Sequence, residues 1–398
     1  MRPSLSSTRV IGAANVAVIL VAVVALMIMP GDDPGDRSPP EAVKVGQIQP
    51  TPPSGRPSSP APSGQPSGQP SAQPSAQPSA QPSEPAPIPT ASQPPAVVAT
   101  PEFAKQVKAN EAGLVPIIMY HRIIKKRVAS IDRTPDQLRQ ELEKLAKQGY
   151  VPITAAEFAA GRIQVPAGKF PVVLTFDDGH PSHFAMDDQG RPAKNTAVAI
   201  IYDVARKYPS FRPVATFWVN HYPFGLQKQE QQASAAQWLH RQGFEVANHT
   251  WTHPNLRAMG TKKVREQIAR LERMLKKLGV PPSTTMALPF GSMPHKKKAA
   301  RKGEWGGVRY DFDAVFLAGA EPSLSPFAKG YDPGAVQRIQ SNGKKGECRK
   351  WCSQYWLEWL QKHPGWRYVS DGDPDRVSVP KKLQGNIAAK RRDQVNAY

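Results

Sequence analysis

The chain has 398 residues and a formal net charge of +20, but neither its charge nor its prolines are spread evenly. Residues 1–100 hold five basic and five acidic residues, so the whole excess lies downstream, and 21 of the 43 prolines fall between Pro30 and Pro101. So few large apolar residues in that stretch cannot offset ordering entropy, which excludes a packed core there and leaves roughly 290 residues for one α/β barrel or two smaller domains.

Arg2 and Arg9 precede Val10–Met29, a run without charge that is apolar except for Asn15. A helix of that length is about 30 Å, enough to cross a hydrocarbon core. The flanking arginines favour a cytoplasmic N-terminus over residues 1–9. The run is long and ends without a small-x-small site, so a single-pass anchor is preferred to a cleaved signal peptide, which would release a secreted protein. Either reading puts the bulk of the chain outside the cytoplasm. Residues 30–101 form a Pro/Ser/Gln/Ala-rich segment, expected to be disordered and extended. Within it, 63–82 reads SGQP SGQP SAQP SAQP SAQP, as a wall-crossing spacer or a linker of no particular length would. The basic domain over 102–398 suits anionic wall polymers or lipid headgroups. Nucleic acid, the other usual partner of such charge, is set aside because of the anchor. Cys348 and Cys352 are too few for a zinc site, and in an oxidising compartment they are expected to form a local disulfide.

Downstream, Leu114–Met119 predicts a buried strand that ends at Tyr120-His121. Pro135–Gln148 has helical spacing and stops at Gly149. Val172–Phe176, Val214–Val219, Phe244–Ala247, Thr284–Leu288 and Ala314–Ala318 predict further strands. Helices are expected over Thr196–Lys207, Gln229–Gln242 and Thr261–Leu278; in the last, Val264, Ile268, Leu271, Leu275 and Leu278 make one stripe closed by Gly279. Short apolar strands alternating with amphipathic helices predict a parallel sheet with crossover helices, and the placement of polar residues favours a barrel over a doubly wound sheet.

Chemistry collects after the strands. The strand at 172 ends in Asp177-Asp178, that at 244 in Asn248-His249-Thr250-Trp251-Thr252-His253, that at 284 in Pro289-Phe290-Gly291, and that at 114 in Tyr120-His121. In parallel α/β folds these strand ends share one face. The i, i+4 pair His249 and His253 with one carboxylate from another strand makes a set suited to Zn²⁺ with an open position for water. His180 and His183 are expected in a solvated loop, and His221, His240 and His363 on the surface. Trp251 has two equal readings, stacking on a sugar or packing below the site. Most of Trp305, Trp351, Trp356, Trp359 and Trp366 are expected in the core.

TFDDG followed by NHTWTH resembles the polysaccharide deacetylases, also called carbohydrate esterase family 4 or the NodB-homology domain, over about Val115 to Pro380. The resemblance implies a deformed (β/α) barrel that removes N-acetyl groups from sugars with a divalent metal, zinc or another such as Co²⁺ or Ni²⁺. It implies Asp177 as general base, Asp178, His249 and His253 as metal ligands, and a backbone N–H at Phe290 as oxyanion donor. Two positions depart from the family pattern. Ala287 stands where an arginine is usual, and no late L-x-H motif follows residue 300. VPIIMYHRI is similar to the permuted subgroup acting on poly-N-acetylglucosamine, which implies His121 as general acid and Arg338 as the arginine beside Asp177. The expected activity is N-deacetylation of a wall or extracellular glycan, peptidoglycan or a poly-N-acetylglucosamine-like polymer. An O-acetyl esterase of the xylan type and an inactive wall-binding protein of the same fold are the alternatives.

Overall fold

The computed structural model describes residues 98–343 and 351–398. The apolar segment 10–29, the repeat at 63–82 and Cys348 lie outside the described residues. Among the described residues no helix is long and apolar enough to cross a membrane. The tail of the proline-rich segment is packed: Ala99 is buried, and Thr100 caps helix α1 (Pro101–Gln106). Cys352 is buried and disulfide-bonded.

Pro116 divides the first predicted strand, because a residue without an N–H cannot hold a ladder on both sides. β1 (Leu114–Val115) pairs antiparallel with β11 (Ser323–Leu324), while β2 (Ile117–Tyr120) enters the main sheet. That sheet runs β10 (Ala314–Phe316), β7 (Thr285–Ala287), β6 (Glu245–Asn248), β5 (Thr216–Val219), β4 (Phe170–Phe176), β2 and β12 (Ile339–Gln340), with β3 (Tyr150–Ile153) beside the first half of β4. Every pairing is parallel. Val336 bridges Phe316 at one edge, and three residues later Ile339 pairs with Ile118 at the other. The expected barrel is thus a curved half-barrel whose two edges meet only in this short segment.

The connecting helices follow the sequence pattern. α2 (Pro135–Lys147) begins with a capping box between Thr134 and Gln137 and buries Leu138, Leu142 and Leu145. α4 (Ala197–Lys207), α5 (Gln229–Arg241) and α6 (Thr261–Lys277) fall where periodicity puts them, and α6 buries Val264, Ile268, Leu271 and Leu275. Beyond the predicted elements lie β3, the short helices α3 (Ala155–Ala160) and α7 (Lys298–Arg301), the hairpin of β8 (Lys302–Trp305) and β9 (Val308–Asp311), and α8 (Ser353–Lys362). The hairpin had a signal in Gly306-Gly307, both at positive φ as a tight two-residue turn requires.

The sheet is buried on both faces, and strand parity decides what lies inside. Val172, Leu174 and Phe176 join the cluster beneath the helices, whereas Val173 faces the interior with Ile117, Trp218, Ala247, Ala287 and Phe316. Alternation then carries residues 175 and 177 to the inner side of β4, 119 and 121 to that of β2, and 249 to that of β6. Ile339 packs outward, so its neighbour Arg338 points in. The tryptophans correct the core expectation. Trp351 and Trp366 are exposed, and Trp305, Trp356 and Trp359 are half-buried. Of its apolar side chains α8 buries Leu357 and Leu360, and its indoles pack on one another and on the next turn, Trp356 against Trp359 and Trp359 against Trp366.

Candidate active site

At the C-terminal ends of β4 and β6 the two motifs meet. Asp178 Oδ1 lies 3.4 Å from both His249 Nε2 and His253 Nε2. One ligand atom from each of the three residues falls within 4.8 Å of the others. His249 Nδ1 lies 2.8 Å from the Ala287 carbonyl, which can only accept, so Nδ1 carries the proton and Nε2 offers a lone pair towards Asp178. Two imidazoles and one carboxylate converging in this tautomeric state fit a divalent cation such as zinc.

Asp177 is buried, 2 % exposed, and forms a two-pronged ion pair with Arg338: Nη1 to Oδ1 and Nη2 to Oδ2, both 2.7 Å. The guanidinium is itself fixed by Nε to the Leu317 carbonyl at 2.6 Å and Nη1 to Thr175 Oγ1 at 3.2 Å, with the Trp218 ring 5.0 Å away. Burial alone would raise the Asp177 pKa, but Arg338 and then His249 outweigh it and hold the carboxyl below its usual range. Burial also opposes ionisation of Asp178, and the hydrogen bond and charge that His249 offers when Nε2 is protonated as well reverse that shift. His121 is pushed down by burial, while Asp177 and Asp178 pull it up. Its Nδ1 is buried without a hydrogen-bond partner, and its carbonyl accepts from His183 Nε2 at 2.7 Å. His183 was expected in solvent and is instead fully buried against Phe176, where burial lowers its pKa to about 4. His180 is half-buried and bonds Ser182 outside the triad.

Among the described residues, four of the seven non-glycine residues at positive φ are Asp178, Thr250, His253 and Phe290, so backbone strain gathers at this site. Phe290 and Phe224 occupy the same Pro-Phe-Gly turn with nearly the same φ, but Phe224 is buried whereas Phe290 is 67 % exposed, its ring edge-on to His253 at 4.5 Å. The strained histidine loop is bolted to α6. Asn248 Nδ2 donates to Glu272 Oε1 (2.8 Å) and the Ile268 carbonyl (3.1 Å), and its Oδ1 accepts from Thr250 N (2.8 Å). Gln267 takes Trp251 N on its carbonyl and Thr252 N on its side chain. Glu272 and Gln267 carried no signal in the sequence, since both lie in an ordinary amphipathic helix. Replacing Asn248 by alanine leaves Thr250 N and Glu272 without their partner. It is expected to weaken zinc binding about 10- to 100-fold with helix content retained, measured by competition with a chromophoric chelator alongside circular dichroism. Unchanged affinity would show that the loop does not depend on this anchor.

Residues 164–304 match the family model described as polysaccharide deacetylase. No curated protein matches the chain. Among solved structures it is similar to a Streptococcus pyogenes deacetylase in complex with acetate, at 22 % identity over 57 % of this chain and 91 % of that one, with a TM-score of 0.42. It is similar also to a Bacillus cereus polysaccharide deacetylase, at 19 % identity over 57 % and 64 %, TM-score 0.40, and to a de-N-acetylase from Aggregatibacter actinomycetemcomitans, at 15 % identity over 59 % and 97 %, TM-score 0.41. The chain therefore spans less than two thirds of the Bacillus cereus structure. Asp177, Asp178, His249, His253 and Phe290 fall within the matched residues, and His121 and Arg338 outside them. Over residues 164–304, therefore, the chain is similar to the polysaccharide deacetylase family.

Proposed function

We propose that the domain hydrolyses N-acetyl groups on a wall or extracellular glycan, with a divalent metal, zinc or a similar ion, held by Asp178, His249 and His253. The observation that carries this reading is the convergence of those three side chains beside a buried carboxylate that is not one of them. When bound, the cation supplies Lewis acidity to the amide carbonyl and lowers the pKa of a water. The remaining work belongs to the chain. Asp177 stays ionised because Arg338 pairs both its oxygens, and its Oδ2, 3.9 Å from His249 Nε2, faces the ligand set where it can take the proton of the attacking water. Arg338 lowers the basicity of that carboxylate but fixes its orientation, so the proton is accepted by a group that does not have to reorganise. His121 lies on the inner face of the neighbouring strand, where burial favours its neutral form. It gains the proton that Asp177 has taken from the water and delivers it to the nitrogen of the leaving amine as the C–N bond breaks. The Phe290 backbone N–H is the proposed oxyanion donor, and its exposed ring a wall of the sugar site.

The N-terminal apolar run is proposed to tether the domain to the cell membrane on its outer side, with the proline-rich segment as spacer. The basic domain is then attracted to anionic wall polymers. Acetate release from peptidoglycan, chito-oligosaccharides and acetylated xylan, with zinc and after chelation, tests the assignment. Chelator-sensitive release from an N-acetylated glycan is the expected result. Release from xylan alone would make the domain an O-acetyl esterase, and none from any glycan would leave a binding protein.

A further inference from the structure

Helix α6 concentrates much of the positive charge of the domain, with seven lysines and arginines in 17 residues against two glutamates, one of them the buried Glu272. Arg270, Arg273 and Lys277, spaced three and four apart, lie on one side of the helix. They line a cavity of about 370 Å³ whose other walls include Trp251, His221 and Gln229, and no carboxylate lines it. The two guanidinium groups are held in place. Arg270 lies over the Trp251 ring at 4.7 Å, and Arg273 lies over Trp305 at 5.6 Å while donating to the Gly306 carbonyl at 2.6 Å. The acid near them is Glu266, 3.7 Å from Arg270 and shared with Lys263 at 3.1 Å, so it offsets at most part of one charge. Oriented arginines without a matching carboxylate are the recognition chemistry of carboxylate and phosphate groups.

The cavity also shares a wall with the candidate metal loop. Trp251 sits between His249 and His253, and its carbonyl accepts from His221 Nδ1 at 2.7 Å. Asn220, next to His221, donates to the carbonyls of His249 and Thr250 at 2.8 and 3.0 Å. We propose that this cavity is an anion subsite that receives a carboxylate or phosphate carried on the glycan, so that the protein selects acidic over neutral acetylated polymers. The placement of the subsite along a substrate rests on the deacetylase reading, but the existence of the subsite does not.

Binding to the full chain, followed by titration calorimetry, tests it without turnover. The probes are a muramic-acid-containing oligosaccharide as carboxylate source, poly(glycerol phosphate) as phosphate source, and uncharged chitohexaose. One acidic probe is expected to bind at least about tenfold more tightly than chitohexaose, and the Arg270→Gln/Arg273→Gln pair to lose about that factor. Whichever acidic probe shows this behaviour identifies the source of the anion. Lys381→Gln/Lys382→Gln removes the same charge from exposed positions elsewhere and should leave binding within about twofold. No preference for either acidic probe, or equal losses in the two double variants, would overturn the subsite. Should the arginine pair fail to fold, Lys277→Gln, on an exposed side chain, is expected to lose about two- to fivefold, and an unchanged affinity there would equally refute the proposal. A protein that releases no acetate but keeps the acidic preference would separate the failure of the catalytic reading from that of this one.

Discussion

Arg338→Met is expected to destabilise the domain by about 3–5 kcal/mol near neutral pH, because it strands a buried carboxylate. Asp177 and Arg338 are 2 % and 0 % exposed, and both carboxylate oxygens are bonded to the guanidinium. Methionine fills part of the volume and leaves Asp177 facing His249, 3.9 Å away and charged only when protonated, in place of a permanent cation. The sign with pH follows from linkage. In the wild type the Asp177 pKa is held below its ordinary value, so the stabilisation is present above that value and is lost as pH falls through the folded one. In the variant, burial acts on Asp177 without Arg338, and protonation relieves the unpaired charge. The difference between variant and wild type should therefore be largest near pH 7 and shrink as pH falls towards the ordinary carboxylate range. Urea unfolding at several pH values measures it. Asp177→Asn in the Arg338→Met background should recover part of the loss, since no buried charge then remains. A penalty independent of pH would mean that Arg338 stabilises by packing on Trp218 and not by its charge.

The same ion pair shows what the sequence can and cannot reveal about this domain. Asp177, Asp178, His249 and His253 stand in two short motifs, and their positions at strand ends follow from local periodicity. Strand parity puts Asp177, His249 and His121 on one inner face, and parity is a property of the sequence. Arg338 is different. It lies 161 residues from Asp177, immediately before a two-residue strand, and no local pattern separates it from the other basic residues of the domain. Its pairing was suggested by family resemblance, and the half-barrel supplies the reason, because the segment that joins the two sheet edges carries it inward. Other elements escaped for local reasons. β3 starts directly after Gly149, is four residues long and contains Pro152, tolerated because β3 pairs only with the first half of β4. His183 resembled a loop residue, but the turn after Asp178 folds it under the sheet against Phe176. The indoles of α8 resembled core, but Trp356 packs against it only in part and Trp359 lies between Trp356 and Trp366, a choice that hydrophobicity alone does not encode.

Asp177→Asn should lower the acetate-release rate by about 10²- to 10⁴-fold, the span expected for loss of a positioned general base. The carboxamide keeps one acceptor for Arg338 but cannot take a proton at neutral pH. Its NH₂ faces a guanidinium N–H, so a modest loss of stability accompanies the change, and rates are to be compared at a temperature where both proteins are folded. The decisive comparison is with metal binding. Asp177 is not among the three residues whose ligand atoms cluster within 4.8 Å, so zinc affinity should stay close to that of the wild type. Asp178→Asn and His249→Ala should instead lose both zinc and activity, because each removes one of the three proposed ligands. The neighbours thus make opposite predictions in a single titration, although they share a turn and carry the same side chain. If Asp177→Asn loses zinc as His249→Ala does, Asp177 is a ligand and the base lies elsewhere. If it keeps near-normal turnover, the buried Asp177–Arg338 pair holds the half-barrel together and takes no part in the reaction.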